Sequence, residues 1–103
     1  MTKVLGPIWV PLTAYRWHGG GRELWPSWLQ SYSMNGFPPM IERKTADGQP
    51  RLRVHNGYEM QFASSGDWIV LDAHAAQVYT DLAFRRKYPH RRIFREKVTG
   101  AIR

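Results

Sequence analysis

Three turn signals cut the middle of this chain into short runs. They are Asp47-Gly48, Asn56-Gly57 and Ser64-Ser65-Gly66-Asp67. Asp-Gly or Asn-Gly between alternating runs is the sequence mark of a β-hairpin, because both turn residues tolerate a left-handed backbone. The run RLRVH, residues 51–55, alternates, with Leu52 and Val54 facing one way and Arg51, Arg53 and His55 the other. Residues 58–62 alternate again, which predicts Tyr58, Met60 and Phe62 inward and Glu59 and Gln61 outward. Residues 68–71 are the most apolar run and are expected to form a central strand. Residues 40–44 and 77–79 complete the extended segments on that side.

The N-terminal run IWVPLTAYRW, residues 8–17, is apolar on both parities and reads as a strand covered on both faces. Pro11 has no N–H for a ladder, so an edge or a bulge is expected there. Gly19, Gly20 and Gly21 end that strand. Leu24, Trp25, Trp28 and Leu29 then fall at helical spacing, predicting a short helix over about residues 26–32. A second helix is expected over residues 81–87, with Thr80 as N-cap, Asp81 in the first turn and Pro89 as the stop. The chain is thus expected to be α+β. It would hold a small antiparallel β-sheet of about five strands, one short helix after the first strand and one C-terminal helix. Residues 1–88 are expected to be a single domain and 89–103 a basic C-terminal extension.

The charge is sharply divided. From residue 1 to 84 there are seven basic and seven acidic residues. From Arg85 to Arg103 there are eight basic residues and one acid, Glu96, so this end carries the whole net charge of +7. Such a block suits an anionic partner: a nucleotide, nucleic acid or an acidic protein face. It also suits a merely solvated tail. There is no cysteine, which excludes disulfides, thiolate zinc ligands and thiol catalysis. The first residues lack the apolar run of a signal peptide, and no stretch has the length of a membrane span. The expectation is a soluble, cytoplasmic protein.

No catalytic set is legible. His18, His55, His74 and His90 do not pair at metal-ligand spacing, so no metal and no cofactor is expected. Ser64 or Ser65 with Asp67 reads as a hairpin turn before it reads as a hydrolase. Two candidate ligand sites remain. Gly19, Gly20, Gly21 and Arg22 could cradle a phosphate with backbone N–H groups and a guanidinium, or simply form a loop before a helix. Arg51, Arg53 and His55 form a basic row, with Tyr58 and Trp68 expected nearby to stack bases. Arg85, Arg86, Lys87, Arg91, Arg92 and Arg95 would add sequence-independent affinity for nucleic acid or an acidic partner.

The order of segments resembles a family of small bacteriophage proteins of unknown function that carry a Pro-Gly-Asp-Trp/Tyr-Ile-type motif. The matching residues are Pro7 through Gly20 at the first strand, Thr45-Ala46-Asp47-Gly48, Ser65-Gly66-Asp67-Trp68-Ile69-Val70, then Tyr79 and Phe84 through Tyr88. Ser65 stands where the family has Pro, and Ala75-Ala76 where it has Gly-Glu. The resemblance implies a small antiparallel sheet with one or two helices and a phage origin, hence the cytoplasm of an infected bacterial host. It implies no activity. Three readings follow. The first is a non-enzymatic anti-defence protein that sequesters a nucleotide-type small molecule, with a site completed by a homo-oligomer. The second is a nucleic-acid binder. The third is an inhibitor that docks on a host or defence protein.

Overall fold

The computed structural model describes residues 11–43, 48–89 and 92–94. The strands are β1 (Pro11–Arg16), β2 (Met40–Glu42), β3 (Arg51–His55), β4 (Met60–Ala63), β5 (Trp68–Asp72), β6 (Ala75–Tyr79) and β7 (Arg92–Phe94). The helices are α1 (Ser27–Gln30), preceded by a 3-10 turn at Arg22–Leu24, and α2 (Asp81–Lys87). No helix among the described residues is long and apolar enough to cross a membrane.

The α+β content is as the sequence implied, but the single sheet is not. There are two sheets, one ordered β6-β5-β1-β7 and one ordered β2-β3-β4. The reason lies at the entry to β5. Trp17 N–H donates to the Asp67 carbonyl at 2.9 Å, and Gly66 N–H donates to the Trp17 carbonyl at 2.7 Å. These bonds start β5 on β1, and β6 folds back on its other side. Both edges of β5 are then occupied, and β4 has no place beside it. Pro11 is the first residue of β1, where a missing N–H is tolerated. From β6, which runs parallel to β1, the chain crosses through α2 to β7, which pairs parallel with β1. The second helix therefore leads into a further strand.

Strand parity sorts the four-stranded sheet into two buried faces. Ala14 and Val70 face α2 and pack with Phe84, joined by half-buried Trp68, Tyr79 and Tyr88. Ile69 and Ala76 face the other way, into the main core. There they meet Leu52, Val54 and Ala63 from the inner face of the three-stranded sheet, with Trp17, Trp25, Leu29 and Tyr32 wedged in. The layers run α2, then the four-stranded sheet, then the three-stranded sheet with the 17–32 segment. The first helix is shorter than expected, and Leu24 lies outside it, about half exposed.

The free edge of β6 is covered by side chains. Ala76 N–H donates to the Tyr32 hydroxyl at 2.9 Å, and that hydroxyl donates to the His55 carbonyl at 2.6 Å. Val78 N–H donates to the Gln61 side-chain carbonyl at 3.1 Å. An open edge is a template for unwanted pairing. Here one donor is satisfied by Gln61 of β4 and one by Tyr32, whose hydroxyl links β6 to His55 of β3.

Candidate functional site

β4 carries the largest departure from expectation. The sequence predicts Tyr58, Met60 and Phe62 inward and Gln61 outward. The structure inverts this. Ala63 is fully buried and Gln61 reaches β6, while Phe62 is 40% exposed and Tyr58 is 94% exposed. Register explains the inversion. His55 pairs with Met60 and Arg53 with Phe62, and directly paired residues share a face. Leu52 and Val54 fill the core, so Arg53 and His55 must face out, and Met60 and Phe62 follow them. Ala63 and its partner Leu52 are both fully buried.

The outer face of β2-β3-β4 is therefore a mixed cationic and apolar surface. Met40 and Glu42 line it from β2, Arg51, Arg53 and His55 from β3, and Met60 and Phe62 from β4. The Arg51 guanidinium carbon stands 4.0 Å from the Phe62 ring centre, a cation–π stack. Phe37, 43% exposed, stacks on His55 with ring centres 5.2 Å apart and planes 10° from parallel. Met40 is 48% exposed, and its sulfur accepts from Arg53 at 3.0 Å. Glu42 bridges both arginines, at 3.6 Å from Arg51 and 3.2 Å from Arg53. The Nε atoms of both arginines are buried without a partner among the described residues, so each guanidinium offers only its terminal nitrogens. His55 Nδ1 accepts from Gly57 N–H at 3.0 Å, so this nitrogen is the one without a proton. Asn56 locks the turn, its side-chain carbonyl accepting from Tyr58 and Glu59 N–H. Tyr58 is thereby held out at the rim.

The other sequence-predicted residues lie elsewhere. Trp68 is not beside the arginine row. It sits under α2, stacked on Phe84 at 4.0 Å, with its indole N–H donating to Asp81 at 2.9 Å. Around it, Arg16 donates to the Gly66 carbonyl at 2.9 Å and approaches Asp81 at 3.6 Å, and Arg85 reaches Asp81 at 3.0 Å. The Trp68 hydrogen bond, with the two nearby guanidinium charges, lowers the Asp81 carboxyl below its ordinary value against an opposing cost of desolvation. The glycine loop serves the core. The Gly20 carbonyl accepts from the buried indoles of Trp17 at 2.8 Å and Trp25 at 3.2 Å. Arg22 and Gln30 exchange side-chain to backbone bonds at 3.0 Å. The Glu23 carboxylate lies against Gly21, a poor neighbour for a phosphate. Gly19 has φ +94°, which favours glycine there.

Arg85, Arg86 and Lys87 are exposed on α2. Arg92 lies on β7, with its backbone paired to Pro11. Arg91 and Arg95 lie outside the described residues. Among the described residues, no three His, Cys, Asp or Glu side chains converge as a metal site would require.

Phe37, Met40, Glu42, Met60 and Phe62 are members of this candidate surface that the sequence reading missed. A usable signal was present. With the 56–59 turn recognised, the outward parity of His55 carries across the hairpin to Met60 and Phe62. No protein-family model matches the chain, and no curated protein or solved structure matches it.

Proposed function

We propose that the protein binds single-stranded nucleic acid, without catalysing a reaction, on the outer face of β2-β3-β4. The observation that carries this reading is the exposed Phe62 ring stacked under Arg51, on the same face as Arg53, His55, Phe37 and Met40. Exposed rings and flat guanidiniums on a sheet give bases a stacking surface, worth about 1–3 kcal/mol per base. The terminal nitrogens of Arg51 and Arg53 suit phosphate oxygens. The face is open, as a strand requires. The basic end of the chain supports an anionic partner.

One observation favours a second reading, sequestration of a nucleotide-type small molecule. Arg51 and Arg53 converge on one carboxylate, so a single phosphate could take the place that Glu42 holds. A role in an infected host, countering a defence signal, belongs to this second reading and rests on the resemblance to phage proteins.

Anisotropy titrations with labelled oligothymidylates of increasing length, and competition with free nucleotides, separate the two. The strand reading expects affinity to rise with length. The sequestration reading expects a mononucleotide or dinucleotide to compete fully. Phe62→Ala, at an exposed position, is expected to weaken oligothymidylate binding about tenfold, as 1.4 kcal/mol implies. Unchanged binding by a folded Phe62→Ala protein would sink the proposal.

A further inference from the structure

The layer order separates the two features that the sequence suggested would act on one ligand. The arginine–aromatic face is the outer side of the three-stranded sheet. Helix α2 covers the opposite face of the four-stranded sheet. The arginine–aromatic face and the cations of α2 are thus carried by elements packed on different faces of the four-stranded sheet. Arg85, Arg86 and Lys87 are therefore not part of the arginine–aromatic face itself.

We propose that the protein has a second, separate nucleic-acid contact on the α2 side, one that grips phosphates and ignores bases, so that one molecule bridges two nucleic-acid segments. The first contact rests on the function proposed above. The second rests on charge. Arg85, Arg86 and Lys87 are all exposed in the last turn of α2, and Asp81, the acid of that helix, is already engaged by Arg16 and Arg85. The segment beginning at Arg85 carries eight basic residues against one acid. The ring of the nearby Tyr79 meets Tyr88 edge-on, and the Trp68 ring is stacked against Phe84. The α2 side therefore offers cations with its nearest rings already paired, which suits a phosphate backbone, double-stranded or single.

The test uses two probes on the full chain. Biotinylated oligothymidylate is fixed on beads, and a labelled DNA duplex, whose bases are closed to stacking, is offered in solution. Wild-type protein is expected to hold the duplex on the beads, less so as salt rises. Arg86→Glu with Lys87→Glu is expected to reduce duplex capture at least tenfold while the protein stays on the beads. Phe62→Ala is expected to weaken bead retention about tenfold while binding free duplex in solution as wild type does. If wild-type protein stays on the beads but captures no duplex, or if duplex displaces it from oligothymidylate, the second contact is overturned and the first stands. If wild-type protein does not stay on the beads at all, the proposed function fails and the bridge fails with it.

Discussion

Two side chains show how much single residues decide in this fold. Tyr32 spends its hydroxyl twice, donating to the His55 carbonyl and accepting from Ala76 N–H, with the ring almost fully buried. Tyr32→Phe leaves both backbone groups unsatisfied, and a buried orphan costs about 1–3 kcal/mol. A fall of that size in the urea unfolding free energy is expected, with the circular dichroism of the folded state retained. Glu42 is the counterpart at the surface. It shares one carboxylate between two arginines, in the place where a ligand phosphate would be held. Glu42→Gln is expected to tighten oligothymidylate binding several-fold, because a partly solvated ion pair contributes little to stability, about 0–1 kcal/mol when fully exposed, while the freed charges gain a partner. Weaker binding by this variant would mean that Glu42 shapes the arginines for the ligand and does not compete with it.

At the scale of elements, α2 is held by its first turn. The Thr80 hydroxyl accepts from Ala83 N–H at 3.1 Å, as the sequence predicts for an N-cap, and Asp81 receives the Trp68 indole and two arginines. Thr80→Ala is expected to cost about 1 kcal/mol. The pH dependence follows from the lowered Asp81 carboxyl. A carboxyl held lower in the folded chain than in the unfolded one adds stability above its ordinary titration near pH 4, and that stability is lost as pH falls through the folded value. The melting temperature of Asp81→Asn is expected to lie below wild type at neutral pH and to converge with it below about pH 4. A constant gap across the range would assign the effect to packing alone.

Elements were legible where backbone chemistry is local. Thr80, Asp81 and Pro89 bracket α2, and the alternation of RLRVH gives both faces of β3. The β5–β6 hairpin was harder to read. Its turn holds Ala73 at φ +58°, a conformation that L residues with a Cβ rarely adopt, where glycine or asparagine would have announced it. The expected strand at 77–79 consequently begins earlier, at Ala75, paired to Asp72. For β4 the failure was of a different kind. Apolar Met60 and Phe62 were assigned inward by their chemistry, although the hairpin register tied them to the outward face of β3.

For the molecule as a whole, the sequence by itself determined the strands' approximate places, the cap and stop of α2, the turns at 56–57 and 64–67, and the division of charge at Arg85. All of these depend on interactions within a few residues, or on composition. Only the tertiary structure decided which strands share a sheet. That choice turned on Trp17 bonding across to Gly66 and Asp67, a contact between residues about 50 positions apart. The same choice put Trp68 under α2, gave the Gly20 carbonyl to two buried indoles, and exposed Phe62 beneath Arg51. It also put α2 on one face of the four-stranded sheet and the core beneath the aromatic face on the other. Alternation along one strand says which residues share a face. What that face looks onto depends on which layer the strand joins, and that is settled by packing between distant segments.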